Sequence, residues 1–103
     1  MITAVVQIKV PTTLAREKAK EIFSSTAPHY QKAQGLIRKY YLLSEDGGTV
    51  GGAYLWKSRE DAERFYTQDW KNFVKEKYAA EPSITYFHSP VVVDNLTREI
   101  IRD

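Results

Sequence analysis

An α+β chain, with a four-stranded antiparallel sheet and helices on one of its faces, is what this sequence predicts. Three observations carry that reading. Residues 2–10 alternate in polarity as a strand does. "EDGG" at 45–48 joins two aromatic-rich runs as a hairpin turn would. Two further stretches, 14–27 and 58–78, carry apolar residues at helical spacing.

In the first strand, Ile2, Ala4, Val6, Ile8 and Val10 fall on one face and Thr3, Val5, Gln7 and Lys9 on the other. Pro11 stops it, and Thr12-Thr13 offers a helix N-cap. Leu14, Ala15, Ala19, Ile22 and Phe23 form the stripe of the first helix. Pro28 predicts its end near Ala27, because proline disfavours helical geometry in the residue before it. Gly35 precedes a second strand, 36–44, and Asp46-Gly47 turns the chain into a third, about 49–57. Ser58, with Asp61 three residues on, predicts a capped helix start. Ala62, Phe65, Tyr66, Trp70, Phe73, Val74 and Tyr78 share its face, with Asp69 a candidate interruption. Pro82 begins a last extended stretch, 83–94, bent at Pro90, and 95–103 stay unassigned.

The order is β-α-β-β-α-β, the ferredoxin-like pattern, over a single domain spanning 1–103. Both helices then lie on one sheet face. The other face is not written for water. Leu36, Tyr40 and Leu42 oppose Ile37, Tyr41 and Leu43; Ala53 and Leu55 oppose Tyr54 and Trp56; Ile84 and Tyr86 oppose Phe87. A sheet apolar on both faces calls for a second sheet, most simply that of an identical subunit. A homodimer joined through its sheets is the expectation, with Pro90 and Val91–Val93 as an arm toward the partner.

Composition excludes several function classes. There is no cysteine, so disulfides, thiolate catalysis and iron–sulfur ligation are out. A formal charge of +2, dispersed along the chain, makes no case for nucleic acid. No run approaches the roughly 20 apolar residues of a membrane span. The alternating N-terminus lacks a basic leader region, so a cytoplasmic protein is the expectation.

Residues 35–66, "GLIRKYYLLSEDGGTVGGAYLWKSREDAERFY", resemble the YdhR-like group of monooxygenase relatives. That group lies in the antibiotic-biosynthesis-monooxygenase-like, dimeric α+β barrel superfamily. The matching features are Gly35 opening a strand, Lys39 within it, the Gly51-Gly52-x-Tyr54-Leu55-aromatic run, and the acidic capped helix that follows. The resemblance implies a homodimer whose sheets form a barrel, with a pocket between sheet and helices in each subunit. It implies a monooxygenase acting on aromatic or polyketide-like molecules with dioxygen and no metal or organic cofactor. Other members of the superfamily degrade haem or isomerise lactones.

The residues support that chemistry unevenly. His29 and His88 are the only histidines, 59 positions apart, with no metal-ligand spacing, so no metal site is expected. No glycine motif precedes a helix, which argues against dinucleotide binding. A suitable hairpin register places Lys39 and Tyr41 on one face with Gly52, Tyr54 and Trp56: an ammonium, two phenols and an indole donor beside a glycine gap. A three-residue loop reverses the assignment. Lys39, Tyr41, Tyr54 and Trp56 are the candidate catalytic set, stabilising a substrate enolate or phenolate. Gly52, Trp70, Tyr86, His29 and His88 are the candidate lining. Gly51-Gly52 itself reads either as a bulge that curves the sheet or as room for a close approach. Two other functions compete: a non-catalytic dimeric module binding small molecules or acting in stress, and a haem-binding or haem-degrading protein with His29 or His88 as axial ligand.

Overall fold

β1 (Ile2–Lys9) runs through the middle of the sheet. The computed structural model describes residues 1–103 and pairs this strand antiparallel with β3 (Thr49–Trp56) on one side and β4 (Ser83–His88) on the other. β2 (Leu36–Leu43) pairs with the outer side of β3, giving the order β2-β3-β1-β4. The chain thus has the ferredoxin-like α+β fold. The alternation of β1 decides what is buried: Ala4, Val6 and Ile8 are at most 3% exposed and face the helices. They meet Val50, Tyr54 and Trp56 from β3 and Tyr30, Tyr66, Trp70 and Val74 from the helix layer.

The helices depart from the expected boundaries in two places. α1 (Arg16–Gln31) continues through Pro28, one turn past Ala27. Proline costs the helix the bond to the carbonyl of Ser24, but that residue is exposed and water can serve it. The extra turn brings Tyr30 into the core, where its hydroxyl accepts from the Trp70 indole at 3.2 Å. The first N-cap is Ala15, which provides no side-chain cap, so neither Thr12 nor Thr13 fills the role. The second helical stretch divides at Tyr66–Thr67 rather than at Asp69. α2 (Arg59–Phe65) begins at Ser58, whose side chain accepts from the Asp61 amide. α3 (Gln68–Tyr78) begins at Thr67, which accepts from the Trp70 amide at 3.2 Å.

The β2–β3 hairpin pairs Leu43 with Val50, Tyr41 with Gly52 and Lys39 with Tyr54. Odd positions of β2 therefore share a face with even positions of β3, and this is the helix face. Gly47 takes φ +76° in the turn, which a side chain would resist. The register slips once, between Leu36 and Arg38, not at Gly51-Gly52. That bulge moves Leu36 inward opposite Trp56 and leaves Ile37 39% exposed. Leu36 thus joins Tyr41 and Leu43 rather than Tyr40 and Leu42.

After β4, Pro90 breaks the last strand as expected. β5 (Val91–Asp94) and β6 (Glu99–Arg102) form a small hairpin of their own. It reaches across the open face of the sheet: Ser89 Oγ lies 2.5 Å from Thr3 Oγ1, and Asp94 accepts from Arg38 of β2 at 2.8 Å. Arg38 holds the Asp94 carboxyl below its ordinary value. The N-terminal amine pairs with Asp103. Outside this strap, Tyr40, Leu42 and Phe87 stay exposed on the open face, and Val91 and Val93 on the hairpin. No helix is long and apolar enough to cross a membrane.

Candidate functional site

Lys39 is placed by the hairpin register with its side chain between the sheet and α1. Its amino nitrogen lies 3.2 Å from the centre of the Tyr30 ring, 3.6 Å from that of Tyr41 and 4.6 Å from that of Tyr54. Three phenol rings, one from α1 and two from adjacent strands, thus surround one amine. Gly52 makes the arrangement possible. A Cβ there would stand 2.8 Å from Tyr54 Cε1 and 3.0 Å from Lys39 Cε. Gly51 serves the other side, where a Cβ would collide with the Val6 carbonyl of β1. Both glycines are therefore close-approach positions, and the bulge reading is replaced.

Burial pulls the Lys39 amine from its ordinary value down to about 6. The ring faces favour the ammonium, but desolvation prevails, and no carboxylate lines the cavity to compensate. Burial pushes the Tyr41 phenol up, while its hydrogen bond with Thr26, 2.7 Å between hydroxyl oxygens, pulls part of that back. The Tyr54 phenol lies far above its ordinary value, again through burial. Burial thus favours a neutral amine beside the un-ionised phenols of Tyr41 and Tyr54: a base next to hydrogen-bond donors.

Space beside the amine is small, about 20 Å³, walled by Tyr30, Tyr41, Tyr54, Val74 and Tyr78 among others. It adjoins a cleft of about 690 Å³ between α1 and the α2–α3 pair. Thr26, Trp70, Phe73 and Lys77 line both, so they form the passage between them. Phe73 is 42% exposed. Ser25, His29, Arg64 and Phe65 line the outer cleft. The His29 ring centre is 6.0 Å from that of Phe65 and 6.3 Å from that of Phe73.

The structure brings Lys39, Tyr41, Gly52, Tyr54 and Trp70 together and sets His29 at the outer mouth. It does not bring the others. Trp56 is 0% exposed, and its indole N–H donates to the Tyr66 hydroxyl at 3.1 Å, so it sits in the core without lining the cavity. Tyr86 lies across the sheet on β4 with the Arg59 guanidinium 3.7 Å over its ring, beside a separate cleft. His88 is exposed at the end of β4. No group of three His, Asp or Glu side chains is close enough to hold a metal ion. The sequence reading missed Tyr30 because it ended the helix near Ala27, and it missed Thr26, four residues before it on α1, because that residue lies off the apolar stripe. It gave Phe73 and Tyr78 only to the core face and passed over Lys77.

Comparison with known proteins gives a family and a fold. The family model described as "Putative mono-oxygenase ydhR" matches residues 5–93. The structure resembles a monooxygenase, ActVA-Orf6 of Streptomyces coelicolor, solved with nanaomycin D: TM-score 0.64, 18% identity, 85% of this chain and 86% of that one. It also resembles SnoaB of Streptomyces nogalater, a cofactor-independent oxygenase: TM-score 0.62, 16% identity, 85% of this chain and 91% of that one. A third, from Deinococcus radiodurans, is described as a putative antibiotic biosynthesis monooxygenase: TM-score 0.65, 9% identity, 91% and 97% covered. At these identities the solved structures establish the shared fold. A sequence comparison with curated proteins finds no match.

Proposed function

The chain belongs to the YdhR mono-oxygenase family, and from that premise we propose that it is a cofactor-independent monooxygenase acting on a flat phenol or enol, of aromatic or polyketide-like type. The observation that carries this is the Lys39 amine buried inside a cage of phenols, where desolvation pulls it down to about 6. In such chemistry the substrate supplies the electrons. Lys39 removes the acidic proton of the substrate, and the resulting ammonium faces the enolate it has made. That pairing restores the lysine's charge at the moment an anion arrives to share the site. The enolate carbon passes electrons to dioxygen and a carbon–oxygen bond forms. The ammonium of Lys39 returns its proton to the peroxide. Loss of water then converts a CH2 to a carbonyl, so that one oxygen atom enters the product and the other leaves as water.

Tyr41 donates to the substrate oxygen, with Thr26 fixing its hydroxyl. Tyr54 packs the floor, and Trp70 and Phe73 flank the passage. SnoaB's cofactor independence supports the reading for a chain of the same fold. The functional unit in this reading is a homodimer that covers Tyr40, Leu42 and Phe87 with a second sheet. Oxygen uptake with a panel of anthrones and dihydroxyquinones tests the activity. Uptake matched one-to-one by a product carrying a new carbonyl is expected. Wild-type protein that leaves the whole panel at the background autoxidation rate contradicts it.

A further inference from the structure

We infer that Lys39 is also a carbonyl-capturing amine: a 1,3-dicarbonyl compound reaching it through the cleft condenses to an enaminone, making this cavity a covalent site for diketones and their derivatives. Three features of the site lead there. The amine lies over ring faces, in a cavity without a carboxylate, so no counter-ion holds it protonated. Desolvated amines of this kind are nucleophiles toward carbonyl groups. The space beside it, about 20 Å³, holds about one water, so a carbonyl head enters as the lining at Phe73 gives way, while the adjoining cleft of about 690 Å³ has room for a body. The ring of Tyr41 that the amine rests on carries a hydroxyl bonded to Thr26, a polar pair on the wall of the same cavity.

The step balances without an oxidant. The nitrogen forms a bond to one carbonyl carbon, whose oxygen becomes hydroxyl and leaves as water. A proton from the carbon between the two carbonyls is lost, and the remaining N–C=C–C=O system conjugates. A simple ketone would give an imine, which lacks that conjugation and reverts readily with water. The 1,3-dicarbonyl gives a neutral adduct whose second carbonyl accepts the adduct's own N–H, which matters among rings that offer few acceptors.

The titratable groups facing the amine are Tyr30 from α1, Tyr41 from β2, Tyr54 from β3, and Lys77 and Tyr78 from α3. With the amine's value at about 6, most of Lys39 is free base at pH 7. The probe is pentane-2,4-dione, under argon, read by the enaminone absorbance and by intact and peptide mass. One adduct per chain is expected, on Lys39, heavier by the diketone less one water. It should form on the order of 10³-fold faster than on surface lysines, whose neutral fraction at pH 7 is that much smaller. Lys39→Met should lose it, and Phe73→Trp, which keeps the amine but narrows the passage, should slow it about tenfold. Modification spread evenly over surface lysines, or none at Lys39 in folded protein, overturns the inference. An unchanged rate in Phe73→Trp overturns entry through the cleft. Argon separates this result from oxygenation: trapping without oxygen uptake on any substrate keeps the covalent site and sinks the oxygenase, and the reverse result does the opposite.

Discussion

The amino nitrogen of Lys39 lies 3.2 Å from the centre of the Tyr30 ring, the one from the sheet and the other from the last turn of α1. Two opposed effects meet in that contact. The ring face favours the ammonium by roughly 0.5–2 kcal/mol. The burial that creates the contact disfavours it more, and the amine settles near 6. A neutral base within an apolar site follows from this balance.

Stability should record the balance. Lysine in the unfolded chain titrates near ~10.4, and Lys39 in the fold near 6. Between these values the unfolded chain binds more protons, so stability rises with pH across that window. Lys39→Met lacks the rise. Calorimetry should find the variant's melting advantage largest below about pH 6 and shrinking toward about pH 10. Higher still, both proteins should lose stability, because Tyr78 at about 12, with Tyr54 and Tyr66 held up by burial, ionises more readily unfolded. A constant gap between the two proteins would show Lys39 to be solvated.

The two glycines should separate. Gly52→Ala presses on the Lys39 stem and the Tyr54 ring and should cost about 1–3 kcal/mol as overpacking while lowering Lys39 reactivity. Gly51→Ala meets strand backbone, which cannot turn aside, and should cost more. Urea denaturation ranks them, and equal costs would refute the distinction.

Much of this was legible in the sequence. The alternation of β1 and the Asp46-Gly47 turn gave the sheet; the turn left two hairpin registers open, and the odd–even one that the fold adopts puts Lys39, Tyr41, Gly52 and Tyr54 on one face. What was hidden depended on tertiary packing. Pro28 reads as a helix end, yet the bond between Tyr30 and Trp70 helps hold the helix through it. Trp56 reads as a donor on the site face, but only the folded chain shows Tyr66 using its N–H. The bulge at Ile37, which turns Leu36 inward, has no local sequence signal beyond the preceding Gly35.

The open face should carry the dimer. Tyr40→Glu together with Leu42→Glu places two charges on an exposed apolar surface away from the site. Light scattering should give twice the 11.9 kDa chain for wild type and one chain for the variant, with the melting curve still cooperative. A monomeric wild type at micromolar concentration would contradict this.

Tyr41 should matter to turnover more than to folding. Tyr41→Phe keeps the stack with Phe23, whose ring centre is 4.7 Å away, and loses the bond to Thr26. Stability should fall by about 0.5–1.5 kcal/mol, while kcat falls on the order of 10–10²-fold, as for a lost donor to a developing oxyanion. An unchanged kcat removes Tyr41 from the chemistry.

The most direct test is the pH dependence of kcat/KM for oxygen uptake, with whichever panel substrate turns over, in wild type and Lys39→Met. A base must be unprotonated to act, so wild-type kcat/KM should rise with pH through an apparent value near 6 and then level. In Lys39→Met the rising limb should vanish and the plateau drop by roughly 10²–10⁴-fold, the worth of a positioned base. A folded Lys39→Met protein that consumes oxygen at the wild-type rate, with the same pH profile, would contradict the assignment of Lys39 as the base.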